Sequence, residues 1–307
     1  YYDAKAVKTK NLEMFLVQDP KTAAQNFDNG KVDYATINST LVDKYKGKDT
    51  FTTFNEGYLF YLQLNFNEPT IANKNLRAAL SYAINRKDLC NNVLKDGSKA
   101  ATGFVPSQLS TSPAGKDFRD DADKYTDYDV KKAQEYLDAA KKELGTDTIS
   151  IDLLYGTDES PMDTMAEYLQ GSFTKLKGLK VNMVATVKKD RIYNREANGK
   201  FQVCCTRWGP DYADPTTYLN LLTTGNQNNY GKYSNTKLDE LMKQVQAESD
   251  LTKRWNLMIE AEKLGMEDYA DIPVFEKGSA ALQAKNVKGL VHAAVGVPYT
   301  FKYVTLK

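Results

Sequence analysis

Between residues 148 and 208 the chain alternates strand, helix, strand, helix, strand, and this rhythm constrains the fold more than any other feature. Residues 148–155 are a short β-rich run, and Ser160-Pro161 marks a helix start. Met165, Leu169, Phe173 and Leu176 then recur at helical spacing before a second β-rich run, 179–187. A helical stretch marked by Ile192 and closed near Gly199 leads to a third run, 201–208. Strands separated by helices need a sheet with helices packed on its faces. The expectation is an α/β lobe, in which ligands gather at strand ends.

The flanking sequence fits such a lobe. Asp19 as cap, Pro20 in the first turn, Ala23, Ala24 and Phe27 on one face and Gly30 at the end describe a short helix, followed by a strand over 31–36. Residues 58–66 are aromatic and aliphatic with little alternation, which predicts a strand buried on both faces and ended by Asn67-Glu68-Pro69. Leu76, Ala79, Leu80, Ala83 and Ile84 form one core-facing helical stripe, and Val130, Ala133, Leu137, Ala140 and Leu144 another, before Gly145. Two later helices carry Leu238, Leu241, Met242 and Val245, then Trp255, Ile259 and Leu264, with Trp255 as helix packing. Residues 272–279 and 299–305 are expected strands, the last without an evident partner.

Composition removes several function classes. Lys plus Arg total 41 and Asp plus Glu total 40, so no basic field invites nucleic acid or an anionic membrane. No apolar run reaches bilayer length, and Tyr1-Tyr2-Asp3 lacks the features of a signal peptide. Cys90, Cys204 and Cys205 make no disulfide framework and read as buried thiols, with a bridge from Cys90 to one of the pair left open. With His292 as the single histidine, no zinc-spaced cluster or His-based triad is in view, and no cofactor is expected. The acidic stretch 117–129 lacks the glycine and closing Glu of an EF-hand, and no phosphate-binding loop occurs. The charged run Lys188-Lys189-Asp190-Arg191 reads as a solvated helix face.

The chemistry concentrates at the end of the third run, in Cys204-Cys205-Thr206-Arg207-Trp208-Gly209-Pro210-Asp211-Tyr212-Ala213-Asp214-Pro215. The strand breaks at Gly209-Pro210, and Pro215 opens a helical segment. Asp214, next to Pro215, fits the helix cap. Asp211 is then spare, on a loop that projects past the strand. An aromatic slab, bare backbone and a spare carboxylate can hold an extended, positively charged ligand.

This run resembles the Trp-x-x-Asp segment of the extracytoplasmic solute-binding proteins of bacterial peptide importers. Two further blocks share the resemblance. Leu64-Asn65-Phe66-Asn67-Glu68-Pro69 with the following Leu76 to Arg86 helix is similar to the family's strand, proline turn and helix, and Asp19 to Tyr34 is similar to the stretch entering its second large lobe. The resemblance implies a periplasmic-binding-protein-like lobe, a mixed sheet flanked by helices, forming the second lobe of a two-lobed clamshell. Residues 1–275 would form that lobe and residues 276–307 would return toward a first lobe. Tyr1 then lies mid-protein, the export signal lies outside this chain, and the two chain ends should lie close together.

The resemblance further implies a monomeric, non-enzymatic binding subunit, extracytoplasmic as a cell-surface lipoprotein or in the periplasm, that hands peptides to the permease of an ATP-driven importer. Asp211 would meet the peptide's α-ammonium in the closed cleft, while Arg207, Trp208 and Gly209 offer backbone to its backbone. Some members carry Arg three residues before the Trp. Cys205 stands there in this chain, so the carboxylate end is left open, with Arg207 on the same side of the strand. The candidate ligand-binding set is thus Asp211, Trp208, Gly209, Arg207 and Cys205. A metal chelate or a sugar is the alternative ligand, and Asp211 favours neither neutral sugar nor chelate over an ammonium. A hydrolase using Asp211 and Asp214 is a weaker rival, since both sit on one short loop.

Overall fold

The structure, a computed structural model, describes residues 2–307. Among them, seven strands build one mixed sheet: β1 (Tyr34–Ile37), β2 (Phe51–Leu64), β3 (Lys99–Ala100), β4 (Ile149–Gly156), β5 (Leu179–Thr186), β6 (Val203–Trp208) and β7 (Asp271–Gln283). Their order is β1-β7-β2-β6-β4-β5, with β3 beside β7. β4 pairs with β5 and with β6 in parallel, whereas β2 pairs antiparallel with β6 and β7. The expected alternation is thus the parallel half of the sheet. Its order places β4 between β5 and β6, so the crossovers leave β4 on one side and return on the other, and a crevice opens at the strands' carboxyl ends.

β2 is central and covered on both faces. Phe60, Leu62 and Leu64 join Ile151, Leu153, Val203, Cys205 and Val274 under the helices Lys74–Ala83, Val130–Leu144 and Met162–Phe173. Leu59 and Tyr61 point the other way, into a core with Tyr218, Leu238, Met242, Val245, Trp255 and Met258 from the helices that follow β6. Period-2 side-chain direction makes one strand serve two cores, which is why its sequence lacks polar alternation. A satellite core joins Ala24, Ile37, Val42 and Tyr45 to Ala280 and Leu282 at the far end of β7.

Local signals act as expected at several ends. The Asp19 carboxylate accepts from the Lys21 and Thr22 amides at the start of Pro20–Asp28, and Gly145, at φ 65°, closes Val130–Leu144. At Met162–Phe173 the structure corrects the reading: Ser160 provides no cap, and Met162 N–H instead donates to the Glu159 carbonyl. Residues 299–305 are also not one strand. A turn in which Val304 N–H donates to Phe301 O splits them into β10 (Tyr299–Thr300), paired with β9 (Val291–His292), and β11 (Thr305–Leu306), paired with β8 (Val287–Lys288). The chain ends meet, with Lys302 Nζ 2.6 Å from Asp3 Oδ2 and Thr9 Oγ1 donating to Val304 O at 2.7 Å. All three cysteines are free and buried. Among the described residues no helix is long and apolar enough to cross a membrane.

Candidate functional site

The carboxyl ends of β4, β5 and β6 converge on a pocket of about 240 Å³ lined by residues from each. Glu159 follows β4, Lys188 and Arg191 follow β5, and Arg207 and Trp208 end β6. Tyr58 and Tyr61 enter from β2, and Asn228 and Tyr230 from the connection beyond β6. This is the crevice that the strand order requires.

A buried polar network forms its wall. Arg191, 2% exposed, donates through Nη1 to Glu196 Oε1 at 2.9 Å and to Thr206 Oγ1 at 2.8 Å, and through Nη2 to Glu159 Oε2 at 2.7 Å. Burial works against the Arg191 charge, but Glu196 and Glu159 outweigh it and hold its pKa above the ordinary value. Burial likewise pushes the Glu159 carboxyl up, and Arg191 and Lys188 more than reverse this, leaving it below the usual carboxylate range. For Glu196, still more deeply enclosed, burial wins over Arg191 and the pKa is raised. The solvated-face reading of residues 188–191 therefore fails at Arg191. Its partners lie 32 positions upstream and 5 and 15 downstream, so the charged run alone gives no sign of them. The apolar Ile192, directly after that run, is the one local hint that the segment packs inward.

The expected site residues are placed as follows. Arg207 is partly exposed, its Nε 3.5 Å from Glu159 Oε1 and its guanidinium 4.5 Å from the centre of the Tyr58 ring. Trp208 packs on the core behind β2 and lines the pocket, its indole N–H buried without an acceptor among the described residues. Gly209 is needed for close approach: an added Cβ would sit 2.3 Å from Tyr58 Cε1. Cys205 is fully buried in the core under the three helices and away from the pocket, because it pairs with Leu62 and shares its face. Buried there, Cys205 does not line the pocket, unlike Arg207 and Trp208.

The two loop carboxylates differ sharply. Asp214 accepts from Thr216 N–H at 3.0 Å and from Arg254 Nη1 and Nη2 at 2.7 and 3.1 Å. Burial raises its pKa, but those hydrogen bonds prevail and leave it lowered. Asp211 is exposed; its amide donates to Thr217 Oγ1 at 3.1 Å, while its carboxylate has no partner among the described residues. Asp214 is thus tied to the start of the next helical segment through Thr216 and to Arg254, and Asp211 is the spare carboxylate, three residues past the pocket-lining Trp208.

Comparison with known proteins places this geometry. Residues 1–230 match the family described as bacterial extracellular solute-binding proteins, family 5 Middle. The chain is 30% identical over 321 residues to a dipeptide-binding protein of Lactococcus lactis subsp. cremoris (strain MG1363), covering 100% of this chain and 58% of that one. It is also 30% identical over 308 residues to the dipeptide-binding protein DppE of Bacillus subtilis (strain 168), covering 100% and 55%. Among solved structures, the substrate-binding domain of an oligopeptide ABC transporter from Bacillus anthracis str. Ames superposes with a TM-score of 0.82 at 31% identity, covering 100% of this chain and 60% of that chain. Listeria monocytogenes OppA bound to peptide gives 0.81 at 31%, with the same coverage. The chain thus spans between half and two thirds of the length of these relatives. Its mixed sheet, its crevice at the parallel strand ends and a family match across three quarters of its length agree, and the chain belongs to the family 5 bacterial extracellular solute-binding proteins.

Proposed function

We propose that this chain is the peptide-holding part of a substrate-binding subunit that delivers peptides to the permease of an ATP-driven importer, outside the cytoplasm and as a monomer. The observation that carries the reading is the spare, exposed Asp211 carboxylate three residues past Trp208, the pocket-lining end of β6. Such a carboxylate suits the α-ammonium of an extended peptide, and the Trp208-Gly209 edge suits its backbone. Relatives whose names specify dipeptides or oligopeptides support peptide over sugar or metal chelate. Hydrolysis is disfavoured, because Asp214 is engaged by Arg254 and Thr216 and leaves Asp211 without a free partner carboxylate.

We place the second large lobe at residues 1–275 and the returning segment at 276–307. The satellite core ties Ala24 to Tyr45 onto Ala280 and Leu282, so that part of the early chain travels with the returning segment. Leu12, Met14, Phe15 and Leu16 are 52, 80, 62 and 96% exposed near the joined chain ends, an apolar surface suited to packing against a first lobe. Closure of two lobes would then bury the ligand.

The test uses the full-length protein with one peptide in free-amine and N-acetylated forms. Asp211→Asn should weaken the free-amine form about tenfold or more and the acetylated form far less. Equal weakening of both would make Asp211 a turn residue and sink the ammonium role.

A further inference from the structure

A row of hydrogen-bonding side chains crosses the sheet beside the pocket, and one member of it has no evident use. In the pairing of β2 with its two neighbours, Gln63 stands opposite Cys204 of β6 and opposite Asp271 of β7. Directly opposed residues point to the same face with Cβ atoms about 4.5–5.5 Å apart, so the three side chains share one row. Cys204 spends its S–H on Glu196 Oε1 at 3.1 Å. Asp271 is buried, accepts from Leu64 N–H at 3.2 Å and has no cation partner among the described residues. Burial raises its pKa well above the usual carboxylate range, against the Leu64 amide and with help from the Glu196 carboxylate.

Gln63 is the neighbour with a matching need. Its Nε2 donates to Asn228 O at 3.2 Å, which fixes the orientation of the amide, because the reversed amide would set oxygen against oxygen. Gln63 Oε1 is then buried without a donor among the described residues, a costly state for an acceptor. Two unpaired N–H groups lie on the same side of the molecule, and neither belongs to this row. Arg191 Nε sits by Gly156 of β4, across β6 from Gln63, where an added Cβ at Gly156 would be 3.6 Å from it. Trp208 Nε1 starts four residues farther along β6, roughly 13 Å down the strand. A protonated Asp271 has one oxygen on the Leu64 amide and a hydroxyl to spare, which is the donor that the row supplies.

We infer that Asp271 carries a proton and donates it in a hydrogen bond to Gln63 Oε1, and that the pair is a positioning device for the pocket. Gln63 lines the pocket together with Asn228 and Tyr230, whereas Asp271 does not. With Oε1 held by Asp271, Nε2 stays on Asn228 O and seats the connection 226–231 against β2. Phe66 N–H, donating to Gly231 O at 2.7 Å, holds the far end of that connection. Gly231 permits the close approach, since an added Cβ would lie 2.1 Å from Leu64 O. An ionised Asp271 would set a carboxylate against the amide oxygen, and turning the amide over would break its bond to Asn228. The proton on Asp271 thus governs where two pocket residues stand. The inference rests on the peptide-binding reading for what the pocket holds, and on the sheet register for the pair itself.

Carbon-13 labelling of the aspartate carboxyls in the full-length protein tests the proton directly. At pH 6 the Asp271 resonance, assigned by its loss in Asp271→Asn, should show a protonated carboxyl, and an ionised one overturns the inference. Positioning is read by amide hydrogen exchange across residues 226–231 and by calorimetric affinity for one free-amine tripeptide. Asp271→Leu removes the donor and should speed exchange in that connection and weaken binding about fivefold or more. Asp271→Asn offers an N–H to Gln63 and an oxygen to Leu64, and should restore both readouts. An Asn variant that behaves like the Leu variant overturns the hydrogen bond to Gln63. Gln63→Leu should reproduce the faster exchange, and it decides the matter if Asp271→Leu does not fold. A merely structural Asp271 would lower thermal stability on substitution by Leu and leave the exchange of 226–231 and the affinity at their wild-type values, which overturns the positioning role. If no peptide binds the wild type, the peptide reading fails, while the resonance and the exchange rates still decide the pair.

Discussion

The loop after β6 carries two carboxylates three residues apart, and they should respond to substitution in opposite ways. Asp214 accepts from the Thr216 amide and hydroxyl and from both terminal nitrogens of Arg254, and its side chain is 29% exposed. Asn at 214 keeps an oxygen for the Thr216 cap and loses the charged fork, so the cost is that of a partly solvated ion pair, about 0.2–1 kcal/mol. Ala at 214 loses the cap as well, which adds about 0.5–2 kcal/mol. Thermal unfolding should then drop by about 2–4 °C per kcal/mol in a chain of this size, more for Ala than for Asn. Asp211→Asn, whose carboxylate touches no partner, should stay within about 0.5 kcal/mol of the wild type. The sign with pH follows from the lowered Asp214 pKa. Its contribution is present above the unfolded carboxylate pKa and is lost as pH falls through the folded value, so the gap between wild type and Asp214→Asn should close in acid. If Asp211→Asn destabilises as much as Asp214→Asn, the division of labour between the two is wrong.

Glu262 is fully buried, accepts from the Phe104 and Val105 amides at 2.9 and 2.8 Å, and pairs with Arg119. Glu262→Gln keeps an acceptor for the amides but leaves Arg119 as a buried charge without its counter-ion, and denaturant unfolding should show a loss of about 3–5 kcal/mol. A loss below 1 kcal/mol would mean that water reaches the pair. Burial, with Asp96 and Glu276 nearby, pushes the Cys90 thiol up to about 12, and burial raises Cys204 and Cys205 as well. A thiol reagent at pH 8 should therefore leave all three unmodified in the native protein and label all three once it is unfolded; fast labelling of any one in the native state would contradict its placement.

The parts of the fold that were readable are those in which a residue's neighbours in sequence decide its state. The 58–66 run marked a central strand because residues facing either way, such as Leu59 and Phe60, both enter cores. The same strand actually begins at Phe51, through a polar stretch that carries no apolar signature. Its pairing there is decided by Ala280, Ala281 and Leu282 of β7, more than 220 positions away. Residues 299–305 failed for the converse reason. Aromatic and β-branched residues promise a strand, yet the turn closed by Val304 and Phe301 divides the run, and each half takes a local partner.

At the site the same division explains what was seen and what was missed. Asp211 was found by elimination on one loop: Pro215 claims a cap, Asp214 supplies it, and the remaining carboxylate has no structural task. Strand alternation also put Arg207 on the face of Cys205, and the register of Arg207 with Phe60 and of Cys205 with Leu62 agrees. Alternation says nothing about depth, however. Two residues farther into the strand, Cys205 lies under helices, whereas Arg207 at the strand's end escapes them and turns to Glu159. The wall comes from two separate connections, Glu159 after β4 and Arg191 with Glu196 between β5 and β6, so each residue looks like ordinary surface charge in its own segment. Only the parallel pairing of β4 with both β5 and β6 brings them together, and that pairing is also what makes the crevice. The proposed ammonium anchor is therefore a property of a short loop, whereas the charge balance of the pocket wall is a property of the sheet order.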